Sequence, residues 1–151
     1  MRQIILDTET TGPSVDDGHR IIEIGCLEVV DRRSTGNHLH VYVNPERKVD
    51  EGALAVHGIS DEQLADKPKF VEIAQQFVDF VRGAEILIHN AAFDVGFLDA
   101  ELGRVGLGRF REHVRSVVDT LAMARELHPG KRNSLDSLCD RYGISNAHRK
   151  L

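Results

Sequence analysis

The chain has 151 residues, a formal net charge of −5, 41% hydrophobic and 28% charged residues, a composition that excludes disordered and collagen-like classes and suits one α/β-sized domain with a core. The acidic balance argues against a protein held on nucleic acid by charge alone, since that needs Lys and Arg against phosphate, but leaves room for an enzyme that meets phosphate through bound cations. The longest apolar run, Ile21–Val30, is interrupted by Glu23 and Glu28 and falls short of the ~20 residues of a membrane span. The N-terminus turns acidic at Asp7, too early for a signal peptide, and the expected location is the cytoplasm. Cys26 and Cys139 lack CxxC spacing and read as buried free thiols rather than a disulfide or zinc site.

In chain order, Gln3–Asp7 is a short apolar run closed by Asp-Thr-Glu-Thr-Thr-Gly, suited to a central strand buried on both faces. Arg20–Val30 predicts a second, longer strand. Residues 31–37 supply a turn, and His38–Asn44 returns as a third strand, with Leu39, Val41 and Val43 on one face and His38, His40 and Tyr42 on an exposed one. Phe70, Ile73, Ala74, Phe77 and Val81 fall at helical spacing between Pro68 and Gly83. A short strand over Glu85–His89 and a helix over Ala92–Leu102 follow, with Phe93, Phe97, Leu98 and Leu102 facing the core. Ser116–Asp119 is another brief strand, leading into a helix through Leu127 that stops at Pro129-Gly130. The stripe Leu135, Leu138, Cys139, Tyr142 predicts a last helix closed by Gly143. The order implies a single α/β domain over residues 1–151, a mixed sheet flanked by helices.

Asp7 and Glu9 carry the sharpest chemical signal. At i and i+2 of a strand they share a face, so two carboxylates emerge together at the strand's end, at a cost unless a cation lies between them. Hard oxygen donors of this kind suit Mg²⁺ or Mn²⁺; the plainer reading is a solvated turn. Asp94 stands in the first turn of a helix after a short strand, where it could join a site or merely complement the helix dipole. Asp119 could complete an acid cluster or cap the next helix. His38-x-His40 has metal-pair spacing, but alternation places both on the solvent face. Lys131-Arg132 reads as a solvated loop pair, and Phe93 and Phe97 as core.

Four segments occur in order: Ile-Leu-Asp7-Thr-Glu9-Thr-Thr-Gly, Val56-His57-Gly58-Ile59-Ser60, His89-Asn90-Ala-Ala-Phe-Asp94 and Pro129-Gly130-Lys131-Arg132-Asn133-Ser134-Leu135-Asp136. Together they resemble the DEDD (DEDDh) 3′→5′ exonucleases, most closely the proofreading epsilon-subunit group of bacterial DNA polymerase III, over essentially the whole chain. The resemblance implies a ribonuclease H-like fold with a five-stranded mixed sheet, and metal-dependent removal of nucleotides from the 3′ end of single-stranded or mismatched DNA. It implies two divalent ions, Mg²⁺ or Mn²⁺, at Asp7, Glu9 and Asp94, spaced ~3.5–4 Å in such sites. It further implies terminal-nucleotide contacts at Asp7, Thr8, Glu9 and His57, and partnership with the catalytic and other core subunits of the polymerase. By itself, His57 before Gly58 reads as a turn residue.

Two departures stand out. A glutamate that the family places a few residues before the histidine falls at Gly52 here, beside Glu51. The family's general-base histidine and fourth aspartate, five residues apart, align just past Leu151, and His148 has no aspartate to match. A shortened family domain without its last helix, with little activity by itself, is the expectation. An RNA-trimming relative and a non-catalytic polymerase-binding scaffold are the alternatives.

Overall fold

The computed structural model describes residues 1–122. Expectations for the helix through Leu127, the Pro129-Gly130 stop, Lys131-Arg132, the stripe over 135–142, Cys139 and His148 lie outside the described residues. Among those described, the order is β1 (Arg2–Thr10), β2 (Ile21–Val30), β3 (Arg33–Tyr42), α1 (Glu51–His57), α2 (Asp61–Leu64), α3 (Phe70–Val81), β4 (Glu85–Ile88), α4 (Ala91–Arg104) and β5 (Ser116–Asp119), with single 3₁₀ turns at Val15–Asp17 and Phe110–Glu112. The five strands form one sheet in the order β3-β2-β1-β4-β5. β1 and β3 both run antiparallel to β2, whereas β4 runs parallel to β1 and β5 parallel to β4, as the mixed sheet was expected to do.

The sheet separates the sequence into two faces. Ile4, Leu6, Ile24, Cys26, Leu39, Ile86 and Ile88 point to one side, where they join Phe70, Ile73, Phe77 and Val81 of α3 and Val95, Phe97, Leu98 and Leu102 of α4 in the main core. Ile5, Leu27 and Val29, with Leu87 beside them, form a smaller cluster on the other. Cys26 is a free, buried thiol, and burial pushes its pKa far up, so it behaves as a small hydrophobe.

α3 matches its predicted span because its stripe is strongly one-sided. Glu72 also accepts from the Lys69 N–H at 2.7 Å, and Gly83 follows at φ 72°. The β2–β3 connection differs from expectation. The reversal is a two-residue turn at Asp31-Arg32, both at positive φ (52° and 64°), and β3 begins at Arg33. This is a type I′ geometry, matched to strand twist but strained for residues other than Gly or Asn. The rest of the expected 31–37 turn belongs to β3, where Ser-Thr-Gly-Asn forms a bulge as the register steps from Val29–Ser34 to Leu27–His38. Glu28 fills it by accepting from Thr35 Oγ1 (2.8 Å) and Asn37 Nδ2 (3.0 Å).

β1 is also longer than its apolar run. The ten residues of β2 pair along it through Asp7–Gly25, Thr8–Ile24 and Glu9–Glu23, with a bulge between Glu9 and Thr10. Pairing with β4, in contrast, stops at Leu6–Ile88. Residues 7–10 are therefore a strand extension with a ladder on one side only, and this offset creates the site.

Candidate active site

Asp7 and Glu9 lie on β1 with the expected shared face, but inside the strand, which runs on to Thr10 past the expected end at Asp7. Both are half-buried, and Thr8 between them is buried on the opposite face. Directly across the ladder, Glu9 faces Glu23, a like-charge pair that costs stability. His40, the β3 partner of Gly25, meets this charge through Nε2 at 2.7 Å from Glu23 Oε2. The expected solvent-facing His-x-His pair is thus divided. His38 is exposed, whereas His40 is half-buried between Glu23 and the edge of the Tyr42 ring, 4.9 Å away. Tyr42 is half-buried as well, because it packs on Ile22, Ile59 and Leu64.

α4 starts three residues after β4 ends, so its first turn lies beside the β1 extension that β4 leaves unpaired. This turn carries Asp94, only 5% exposed. Burial first, then the charge of Asp7 and more weakly that of Glu9, push its pKa up to about 8. Asp94 Oδ2 and Thr8 Oγ1 are buried without a hydrogen-bond partner among the described residues. The dipole-complementing role falls to Asp119 instead. Its carboxylate accepts from the N–H groups of Asn90 and Ala91 (both 3.2 Å), where α4 begins, and from those of Leu121 (2.9 Å) and Ala122 (3.2 Å). Burial raises the Asp119 pKa, but these four donors outweigh it and hold the carboxyl below its usual range. Asp119 is therefore a double cap, and Asp94 is the acid left over.

These residues fit a hard divalent cation. An orphaned buried carboxylate oxygen, held protonated near neutrality by its burial and then by two neighbouring acids, is the electrostatic state that such a cation relieves. Among the described residues, no three His, Cys, Asp or Glu side chains already sit close enough to hold an ion by themselves.

The opposite wall is α1, which sequence periodicity misses because the helix buries none of its residues. His57 ends it before Gly58 at φ 71°. The His57 Nδ1 accepts from the Ile59 N–H at 3.0 Å, so Nε2 carries the proton and donates to the Thr10 carbonyl at 3.1 Å. The turn reading of His57 holds, and the turn orients a ring that docks on β1. Between α1 and β1 opens a cleft of about 490 Å³, lined by Thr8, Glu9, Gly12, Gly52, Val56 and Phe93 among others. Phe97 is core as expected, but Phe93 is half-buried and forms a wall of this cleft, which helical phase alone does not distinguish. Glu51 is exposed and Gly52 faces open space.

Comparison with known proteins follows this geometry. The exonuclease family model (RNase_T) matches residues 4–151. The chain is 57% identical over 154 residues to the DNA polymerase III subunit epsilon of Pasteurella multocida, covering 99% of this chain and 61% of that protein. Identity to the Escherichia coli K12 epsilon subunit is 55% over 155 residues, covering 99% and 64%. The chain spans about three-fifths of the length of such curated relatives. Among solved structures, exonuclease X in complex with 5′ overhanging duplex DNA aligns at TM-score 0.65 and 26% identity, over 95% of this chain and 74% of that one. Product-bound exonuclease I aligns at TM-score 0.77 and 20% identity, over 97% and 40%, a likeness of fold that is ribonuclease H-like. With the fold, the gathered acids and a family match running from residue 4 to residue 151, the chain belongs to the exonuclease family.

Proposed function

We propose that this protein is a 3′→5′ exodeoxyribonuclease that hydrolyses the terminal phosphodiester of single-stranded or mismatched DNA, as the proofreading component of a bacterial DNA polymerase III core in the cytoplasm. The observation that carries the reading is the convergence of Asp7, Glu9 and the orphaned Asp94 at the free edge of β1. High identity to proteins named DNA polymerase III subunit epsilon supports the proofreading assignment and the polymerase partner. Among the described residues no helix is long and apolar enough to cross a membrane.

Residues 1–151 form one exonuclease domain in this proposal. Asp7, Glu9 and Asp94 would hold two divalent ions of the Mg²⁺ or Mn²⁺ class, which supply activation of water and neutralisation of charge on the attacking and leaving oxygens. The protein's own work is positional. Thr8 would offer its backbone to the 3′ terminus, His57 would border the terminal nucleotide, and Phe93 with Val56 would give its base apolar walls.

The test uses the full-length gene product on 5′-labelled single-stranded DNA, primer termini with and without a mismatch, and matched RNA, with Mg²⁺, Mn²⁺ or EDTA. A shortening DNA ladder is expected, faster at the mismatch, abolished by EDTA and reduced at least ~10³-fold in Asp7→Ala and Glu9→Ala. Preferential RNA trimming would move the substrate to RNA. Binding to the polymerase with no hydrolysis of either would leave a scaffold and refute the enzyme.

A further inference from the structure

α1 buries none of its residues, so its packing does little to set its distance from β1. Two histidines tie it down instead. His57 pins its C-terminal end to the Thr10 carbonyl. At the other end, His19 is 5% exposed and bridges the strands to the helix: its Nδ1 lies 2.8 Å from Thr11 Oγ1 and its Nε2 3.2 Å from Asp50 Oδ2. The Thr11 hydroxyl also accepts from the Arg20 N–H at 3.0 Å, and the Thr11 carbonyl accepts from the Asp50 N–H at 2.9 Å. A carboxylate opposite Nε2 requires the proton there, which in the neutral ring leaves Nδ1 to accept from Thr11.

Two further features indicate that the bridge is built for position. Asp50 occupies the N-cap of α1, where an aspartate ordinarily accepts from the helix's first amides. Here it makes no cap hydrogen bond, and its side chain reaches His19 instead. Gly12 presses on the ring so closely that a Cβ would stand 2.3–2.5 Å from three imidazole atoms. Gly12 and Asp50 both line the cleft while His19 stands behind them.

We propose that His19 is a positioning residue for the terminal-nucleotide pocket: by joining Thr11 to Asp50 it holds the gap between the acid-bearing strand and α1 at the width of a nucleotide. The inference rests on the exonuclease reading and adds to it a residue that touches neither metal nor substrate. The metal-holding acids are independent of the bridge, so nucleotide binding and metal binding separate when it is cut.

In the full-length protein, His19→Asn keeps the reach to Thr11 and loses Asp50, whereas His19→Gln restores a donor near the Nε2 position. His19→Asn is expected to raise KM for a single-stranded oligonucleotide and to weaken thymidine 5′-monophosphate about tenfold, with kcat within threefold and Mn²⁺ affinity within twofold of wild type. His19→Gln should recover most of the nucleotide affinity. Should His19→Asn fail to fold, Thr11→Val cuts the same bridge at its strand end, behind the cleft, and should give the same KM-selective shift. Folded variants with unchanged KM and nucleotide affinity overturn the proposal, as does parallel loss of Mn²⁺ and nucleotide binding in every variant including His19→Gln. A wild type that binds neither Mn²⁺ nor the nucleotide overturns the exonuclease reading and this inference with it, whereas a wild type that binds both beside indifferent variants removes only the bridge.

Discussion

Replacing Asp94 by Asn tests the electrostatics of the site without changing its shape. In the folded protein the Asp94 carboxyl titrates at about 8, against an ordinary 3.8, because it is buried and faces the charges of Asp7 and Glu9. Between those values the folded chain keeps a proton that the unfolded chain has released, so stability falls as pH rises from about 4 to about 8. Each pH unit in that window is worth up to about 1.4 kcal/mol, hence at most about 3 kcal/mol between pH 5 and pH 7, which local relaxation trims to about 1–2 kcal/mol. At roughly 2–4 °C per kcal/mol for a chain of this size, wild type in EDTA should lose several degrees of Tm relative to Asp94→Asn over that interval. The gap should narrow toward pH 5 and close only near pH 4, where the unfolded carboxyl is protonated as well. Saturating Mn²⁺ should reverse the wild-type loss, by about 2.7 kcal/mol at a hundredfold excess over Kd, and help the variant far less. Thermal melts by circular dichroism from pH 5 to 8, with EDTA and with Mn²⁺, give the answer. Parallel Tm–pH curves for wild type and Asp94→Asn would show that Asp94 titrates like a surface acid, and the argument for the site would fail.

Other substitutions probe the scaffold that places these groups. Glu101, 1% exposed, accepts from Arg20 Nε and Nη2 and from the Ile21 N–H; Glu101→Ala should cost about 3–5 kcal/mol by urea denaturation, since it strands a guanidinium and an amide, and a loss under 1 kcal/mol would contradict that. Gly52 is helical and a Cβ there meets nothing within 4 Å, so Gly52→Ala should stabilise by about 0.5–1 kcal/mol in the same assay. Changing Asp31-Arg32 to Asn-Gly should add about 1 kcal/mol by relieving two left-handed residues in the hairpin turn; no gain would mean the turn is not strained.

Much of the fold was legible in local pattern. The apolar run of β1, the β2–β3 pair, the one-sided stripe of α3 and the short apolar strands β4 and β5 each express a period that burial enforces over a few residues. The pairing of Asp7 with Glu9 followed from the same period, and the ordered motifs from Asp7 to Asp136 carried the family. α1 escaped because a helix that buries nothing has no apolar stripe to read. The hairpin turn is shorter than the 31–37 segment because Ser-Thr-Gly-Asn is as apt for a bulge as for a reversal, and cross-strand register chooses between them.

Sequence by itself therefore determined the α/β class, the strand and helix succession and the presence of a carboxylate pair on one strand face. Tertiary structure alone decided which acids meet and what each does. Asp94 and Asp119 look alike along the chain, each an acid at the start of a helix, yet Asp119 is consumed by four backbone amides while Asp94 is buried against Asp7 and Glu9. The reason is a difference in strand length: β4 ends at Ile88 beside Leu6 while β1 runs on to Thr10, and the edge so exposed is where α4 delivers its carboxylate. Local propensity acts over a few residues, whereas that offset is set by how far β2 pairs along β1, through contacts distant in the chain.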